Sequence, residues 1–340
     1  MPDDHDPDTA ATRRRLLPPW FGPVARVAMT VALLAYALRG VKWEDHVVDG
    51  QVVTGMGNVL ARADWKWWAA GLATSVAVQA VAGVRWAALA RPLGFNYSRR
   101  FFVWRFFEGM FLNLCLPGSI SGDVIKAYRV GDTTSRRLLA GCSVLADRLT
   151  GLSALCVLGG AALAARKYGL SLTVTIAVAA GLLAGVLMAF LLAVSFLDRI
   201  VAVLPEGSPG RGVLAQLLPY QQRPSVIAKA VAWSFVVQAG GALGVALSAR
   251  ALGVDQPLSV WFSVVPLVAL LMVLPFNIGG FGVREESMKF LLAQEGVPGG
   301  TAVGVGLLWG LTTILIGLVG GVMFLLDRSP VSATQPPAER

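Results

Sequence analysis

The chain has 340 residues, of which 55% are hydrophobic and only 14% charged. Those proportions exclude an ordinary soluble domain, which exposes far more charge, and the lack of period-2 alternation excludes an outer-membrane barrel. The net charge of +9 would point to nucleic acid in a soluble protein. In so apolar a chain the same Arg and Lys residues instead orient spans and meet anionic lipid heads.

Residues 1–19 are acidic, then basic at Arg13-Arg14-Arg15, and read as a disordered cytoplasmic tail. The apolar run 20–38 reads as an uncleaved first span rather than a signal peptide, because the rest of the chain is itself membrane-spanning. The triple Arg then keeps the N-terminus inside. Residues 39–64, with Glu44, Asp45 and Asp49, form a first external loop. Trp65, Trp67 and Trp68 make an interfacial belt at the start of a second span, 65–90. Arg85, near that span's inner end, admits two readings: a side chain snorkelling to the interface or a contact to a lipid head group.

Arg91, Arg99, Arg100 and Arg105 make the next loop basic and cytoplasmic. Residues 106–116 are too short to cross a bilayer. After a Pro-Gly break comes a second short segment, 119–130, and Lys126, Arg129, Arg136 and Arg137 return the chain to the basic side. This predicts a re-entrant hairpin, tolerated only where protein or water satisfies its backbone. Spans over 138–165, 172–197 and 225–252 come next, the first carrying Asp147-Arg148. The loop 166–169 is external, and the Pro-rich loop 198–224, with Arg199, Arg211 and Arg223, is internal. A second broken segment, 258–294, precedes a last span, 302–326, and a polar tail, 327–340. With three spans between the breaks, the two broken segments enter from opposite faces. The fold class is therefore an all-α polytopic membrane protein, an inverted-repeat bundle of about six to eight transmembrane helices with two Pro/Gly-broken re-entrant segments. Gly181 with Gly185, Gly240 with Gly244, Gly306 with Gly310 and Gly317 with Gly321 read as close helix packing. Cys115, Cys142 and Cys156 are scattered apolar fillers, with neither a disulfide framework nor a metal site.

The breaks carry the chemistry. Leu116-Pro117-Gly118-Ser119-Ile120-Ser121-Gly122-Asp123-Val124-Ile125-Lys126 is matched by Leu274-Pro275-Phe276-Asn277-Ile278-Gly279-Gly280-Phe281-Gly282-Val283-Arg284. Pro117 pairs with Pro275, Ser119 with Asn277, Gly122 with Gly280 and Lys126 with Arg284, each at an offset of 158 (275 − 117). Each Pro removes a backbone donor, and Gly118, Gly122, Gly279, Gly280 and Gly282 loosen the chain around it. A charge at bilayer depth costs ~2.5 kcal/mol or more unless paired or wet. Two broken, charged segments in corresponding places are what a transporter built from repeats puts around its substrate. Lys126 and Arg284 are expected to face each other across a pseudo-twofold axis. Arg129, Arg148, Arg85, Ser119 and Asn277 are further contacts for a head group. Helix N-termini after each break add N–H groups, and together these favour an anion, a phosphate above all. Asp123, Asp147, Glu108, Glu285 and Glu286 hold the cations in place or titrate in proton coupling. Local interfacial ion pairs that merely pin the hairpin ends are the alternative, but pinning needs no matched copies.

These two motifs, with Arg85-Trp86, Asp147-Arg148-Leu149 and the run from Gly279 to Glu285, resemble the lysylphosphatidylglycerol synthase transmembrane, flippase-like domain family over roughly residues 65–326. Ser121-Gly122-Asp123 departs by one residue from the Gly-Gly-Asp expected there. The resemblance implies translocation of a lipid between leaflets. Longer relatives carry a following aminoacyltransferase domain, so this chain is expected to be a short form without it. The expected function is a flippase-like transporter of a phosphate-bearing lipid, not an enzyme, with no cofactor and no metal. Expected partners are a membrane lipid with an anionic head group and lipid-biosynthesis enzymes, and no nucleic acid. The expected location is the inner (cytoplasmic) cell membrane. Two alternatives stand beside it: an integral membrane transferase using a lipid-linked donor, with Asp123 or Glu285 as base, and a non-transporting subunit of a lipid-synthesis complex.

Overall fold

A computed structural model describes residues 35, 43–48, 51–53, 55–115, 121–168, 171, 173–177, 180–185, 196–205, 207–273 and 280–326. The two tails, all but Ala35 of the expected first span, and both breaks (116–120 and 274–279) lie outside the described residues. So do Pro117, Gly118, Ser119, Pro275, Asn277 and Gly279.

The chain is an all-α polytopic membrane protein. Among the described residues, eight helices carry the architecture: α1 (Trp65–Ala90), α2 (Arg99–Cys115), α3 (Ser121–Val130), α4 (Thr134–Tyr168), α5 (Pro224–Ala251), α6 (Leu258–Met272), α7 (Val283–Ala293) and α8 (Gly299–Leu326). Four of them (α1, α4, α5 and α8) are long and apolar enough to cross a membrane. Helices α2 and α6, of 17 and 15 residues, reach only ~26 and ~23 Å at 1.5 Å per residue, short of a ~30 Å hydrocarbon core.

Several boundaries differ from those expected. Residues 39–64 hold a small antiparallel hairpin, His46–Val48 with Gln51–Val53, and a short helix, Met56–Ala61. Helix α2 begins seven residues earlier than expected, so Arg105 is helical and buried, its charge met by Glu108 at 2.8 Å. Helix α4 takes in Arg136 and Arg137 at one end and Arg166-Lys167 at the other. The expected loop 198–224 is largely taken up by the short helices Leu197–Val203, which begins one residue before it, Pro209–Ala215 and Leu218–Gln222.

Helices α1 and α5 form the spine, packed antiparallel along their length. The Asp64 amide donates to the Ala251 carbonyl, Gly71 lies on Gly244 and Ser248, Gly240 lies on Val78, and Arg85 reaches Ser234. Side-chain-free surfaces at Gly71, Gly240 and Gly244 let the backbones approach this closely. Each spine helix ends in the same way. Gly94 and Gly253 take positive φ (86° and 76°), their amides donate to Arg91 and Arg250, and the next amides, of Phe95 and Val254, donate to Ala90 and Ala249. The sequences agree at these positions: Ser75-Val-Ala-Val-Gln79-Ala80 with Ser234-Phe-Val-Val-Gln238-Ala239, and Ala90-Arg-Pro-Leu-Gly94 with Ala249-Arg-Ala-Leu-Gly253, all 159 residues apart (234 − 75).

The hairpins that succeed the two spine helices correspond as well. Helices α2 and α3 fold into one, with Gly109 against Lys126 and the Gly122 amide donating to Asn113 Oδ1 at 2.8 Å. Helices α6 and α7 form the other, with Met272 against Gly280 and Gln256 Nε2 donating to the Glu295 carbonyl at 3.0 Å. Helix α4 packs on α3 and α6, and α8 packs on α7 and α2. Two apolar cores result. One gathers Trp86, Leu89, Phe95, Phe102, Val130 and Ile227 around the open end of the first hairpin; the other gathers Ala249, Val260, Trp261, Val264, Met288 and Leu292 around the open end of the second. The open ends of the two hairpins therefore lie at opposite ends of the bundle.

Candidate functional site

The first hairpin carries a cluster of charged side chains. Asp123, in the first turn of α3, accepts from Lys126 Nζ at 2.9 Å through one oxygen and from Arg148 Nε of α4 through the other. Two cations thus share one carboxylate. Lys126 is buried, with its ammonium 4.3 Å from the Phe106 ring centre and 5.8 Å from that of Trp86. Ring faces stabilise a cation removed from water. Gly109 is where the Lys126 stem passes, and a side chain there would collide with it. Beside this cluster Arg85 neither snorkels nor lies open to a head group. Its Nε meets Asp147 Oδ1 at 2.7 Å and its Nη1 meets Ser234 Oγ at 2.8 Å, all buried.

Asp123 and Arg148 also form one end of a groove of about 500 Å³ between α3 and α4. Thr134 and Arg137 stand at its other end, and Val124, Tyr128, Leu138 and Leu145 line its walls with more than half of each side chain's surface exposed. From Arg137 to Arg148 is eleven helical residues, or ~16 Å of depth. Arg148 is 46% exposed, so its guanidinium reaches the groove while Asp123 holds it.

The second hairpin carries a tighter pair. Arg284 and Glu285 are completely buried and joined at 2.8 Å. Glu285 also accepts the Gly282 amide through its other oxygen at 2.6 Å, closing the first turn of α7 where Gly282 has φ 82°. Arg284 lies over the Phe281 ring at 4.6 Å and beside Trp309 of α8, and among the described residues its Nη1 has no hydrogen-bond partner. A buried guanidinium nitrogen without a partner is costly and marks the place where an added acceptor would be stabilised. At each helix N-terminus one amide is already taken, that of Gly122 by Asn113 and that of Gly282 by Glu285.

Lys126 and Arg284 do not face each other. Along α8, Gly310 packs on Arg284 and Gly320 packs on Phe107 and Glu108, next to Gly109 and Lys126. Ten helical residues place the two clusters ~15 Å apart. Arg129 lies over Phe324 at 5.2 Å. Glu108 serves Arg105, and Glu286 pairs with Lys289 at 3.6 Å, both side chains about a third exposed. The structure thus unites Asp123, Lys126 and Arg148, joins Arg85 to Asp147, and joins Arg284 to Glu285. Phe106, Trp86, Asn113, Ser234 and Trp309 complete these sites. Only the position of Trp86 beside Arg85 hinted at any of them in the sequence.

Between the clusters, where α1 and α5 bring corresponding residues together, lies a cavity of about 160 Å³ lined by Ser75, Gln79, Gln238, Trp309, Thr312 and Thr313 among others. Among the described residues no group of His, Cys, Asp and Glu could hold a metal ion.

Comparison with curated proteins returns no match. A family match does exist, and it begins well before the region in which the motifs lie, covering residues 24–321. The chain belongs to the family described as the lysylphosphatidylglycerol synthase TM region.

Proposed function

We propose that this protein moves a phosphate-bearing lipid between the leaflets of the cell membrane, and acts as a transporter rather than an enzyme. The observation that carries this reading is the α3–α4 groove. It is apolar on its walls, open along its length, and ends at a cluster in which Lys126 and the half-exposed Arg148 share the Asp123 carboxylate. An acyl chain matches such walls, and a phosphate makes charge-assisted hydrogen bonds with the cations at its end. The antiparallel spine and the matched hairpins support an inverted repeat with re-entrant segments, the architecture in which a substrate site near mid-membrane is reached alternately from each side. Arg99, Arg100, Arg136 and Arg137 gather at the open end of the first hairpin, which by the positive-inside rule supports a cytoplasmic location for that end. The lipid head then passes from Arg137 down to Arg148 and Lys126, across the middle, and on to Arg284 in the other half.

The test uses the full chain in proteoliposomes with a fluorescent-tailed phospholipid and an impermeant quencher. Lys126→Ala and Arg284→Ala are each expected to slow transbilayer movement at least tenfold, equivalent to ~1.4 kcal/mol or more of lost charge-assisted contact. Movement at the unsubstituted rate in both would overturn the assignment.

A further inference from the structure

The cavity at the middle of the spine has chemistry unlike that of the charged clusters. Gln79 and Gln238 stand 159 residues apart in matching Ser-x-Val/Ala-Val-Gln-Ala segments, and both line it. Among the described residues no Asp, Glu, Lys or Arg lines it. Its hydroxyls are already committed as donors: Ser75 to the Gly71 carbonyl, Thr312 to Leu308 and Thr313 to Trp309. Thr312 also accepts from Trp68 Nε1 at 3.1 Å. The two carboxamides therefore supply most of the free hydrogen-bonding capacity, each with two donors and an acceptor. A volume of about 160 Å³ holds roughly five waters at ~30 Å³ each, or an uncharged head-group fragment of similar heavy-atom count. The cavity faces Thr312, Thr313 and Ile316 on α8, between Gly310 at the Arg284 cluster and Gly320 beside Glu108.

We infer that this cavity is the midpoint station for the head group and that its two glutamines select lipids whose head groups are uncharged polyols, such as glycerol. This rests on the lipid-translocation reading and adds the selectivity of the same path. A hydroxyl both donates and accepts, which matches a carboxamide. A primary amine is cationic and would need a carboxylate that the cavity does not offer, so its desolvation goes uncompensated. Corresponding residues from the two halves give the head group the same partners from either side.

Binding and movement are measured separately. Phosphatidylglycerol and phosphatidylethanolamine, alike in phosphate and acyl chains, compete for the full chain in detergent, and retained lipid is quantified by mass spectrometry. The unsubstituted protein is expected to retain phosphatidylglycerol preferentially, by about threefold to tenfold for each hydrogen bond made. Gln79→Leu with Gln238→Leu is expected to abolish the preference, while Lys126→Ala lowers retention of both lipids and keeps the ratio. Equal retention of both lipids by the unsubstituted protein overturns the inference whether or not the variants fold, and so does a preference unchanged in the double variant. Proteoliposome movement reads the transport proposal alone. Its failure alongside an intact, glutamine-dependent preference would remove the transport reading and leave the selectivity of the cavity standing.

Discussion

At the scale of single residues, the decisive question for each intramembrane charge is what meets it. Arg85 illustrates the point. Its guanidinium is buried against Asp147 and Ser234, partners 62 and 149 residues away in sequence. Removing one member of a buried pair leaves an uncompensated charge and costs about 3–5 kcal/mol, whereas replacing both members by apolar groups of similar volume is often nearly neutral. Asp147→Ala is therefore expected to lower stability by that amount, read as a large fall in the detergent unfolding midpoint. Adding Arg85→Met to Asp147→Leu should recover most of it, because Ser234 keeps its own bond to the Ala230 carbonyl. A double variant as unstable as Asp147→Ala would assign the loss to something other than the unpaired charge. The sequence makes the charges conspicuous, since an apolar chain cannot hide them. It does not reveal the partners, which depend on how distant helices cross.

At the scale of helices, contact is governed by where side chains are missing. Gly320 meets the Phe107 backbone, Gly321 the Phe111 ring and Gly317 the Leu114 side chain, so α8 lies directly on α2. Gly306 and Gly310 bring the same helix onto Glu285 and Arg284. Among the described residues Gly181 and Gly185 meet nothing within 4 Å, although their spacing is the same, so spacing alone does not identify a contact. Gly320→Leu is expected to destabilise by about 1–3 kcal/mol through overpacking against backbone that cannot yield. Gly185→Leu should change stability by no more than about 0.5 kcal/mol. Thermal unfolding of the two variants side by side checks this, and equal effects would refute the packing account. The long helices were legible because twenty or so apolar residues leave little choice, and α1 begins and ends where the sequence places it. The start of α2 was not, because Arg99, Arg100 and Arg105 look like loop residues until Arg105 is seen three positions before Glu108, on one face of the same helix.

At the scale of the whole molecule, the repeat expected from the sequence is most legible at the Pro breaks, where few residues can do the job, and faint along the spine, where Ala, Val, Gly and Leu exchange with little cost. The packing is consistent with it: α1 and α5 are antiparallel, they share glycine ends at Gly94 and Gly253, and the open ends of the two hairpins lie at opposite ends of the bundle. This arrangement has a direct consequence for sidedness. Asn96 and Asp255 are corresponding exposed residues, two positions after Gly94 and Gly253. Antiparallel spine helices of 26 and 28 residues span ~39 and ~42 Å, so if both cross the bilayer their two glycine ends are expected on opposite sides of it. With Cys115, Cys142 and Cys156 replaced, a cysteine at position 96 should resist an impermeant maleimide in intact cells and react only after permeabilisation. A cysteine at position 255 should react at once. Labelling of both positions from one side would be incompatible with an inverted repeat, and with it would go the path by which a head group held at Lys126 reaches its counterpart at Arg284. Labelling from opposite sides in the reverse sense would keep the repeat and turn the molecule over, placing the α3–α4 groove mouth outside and making the outer leaflet the one it samples first.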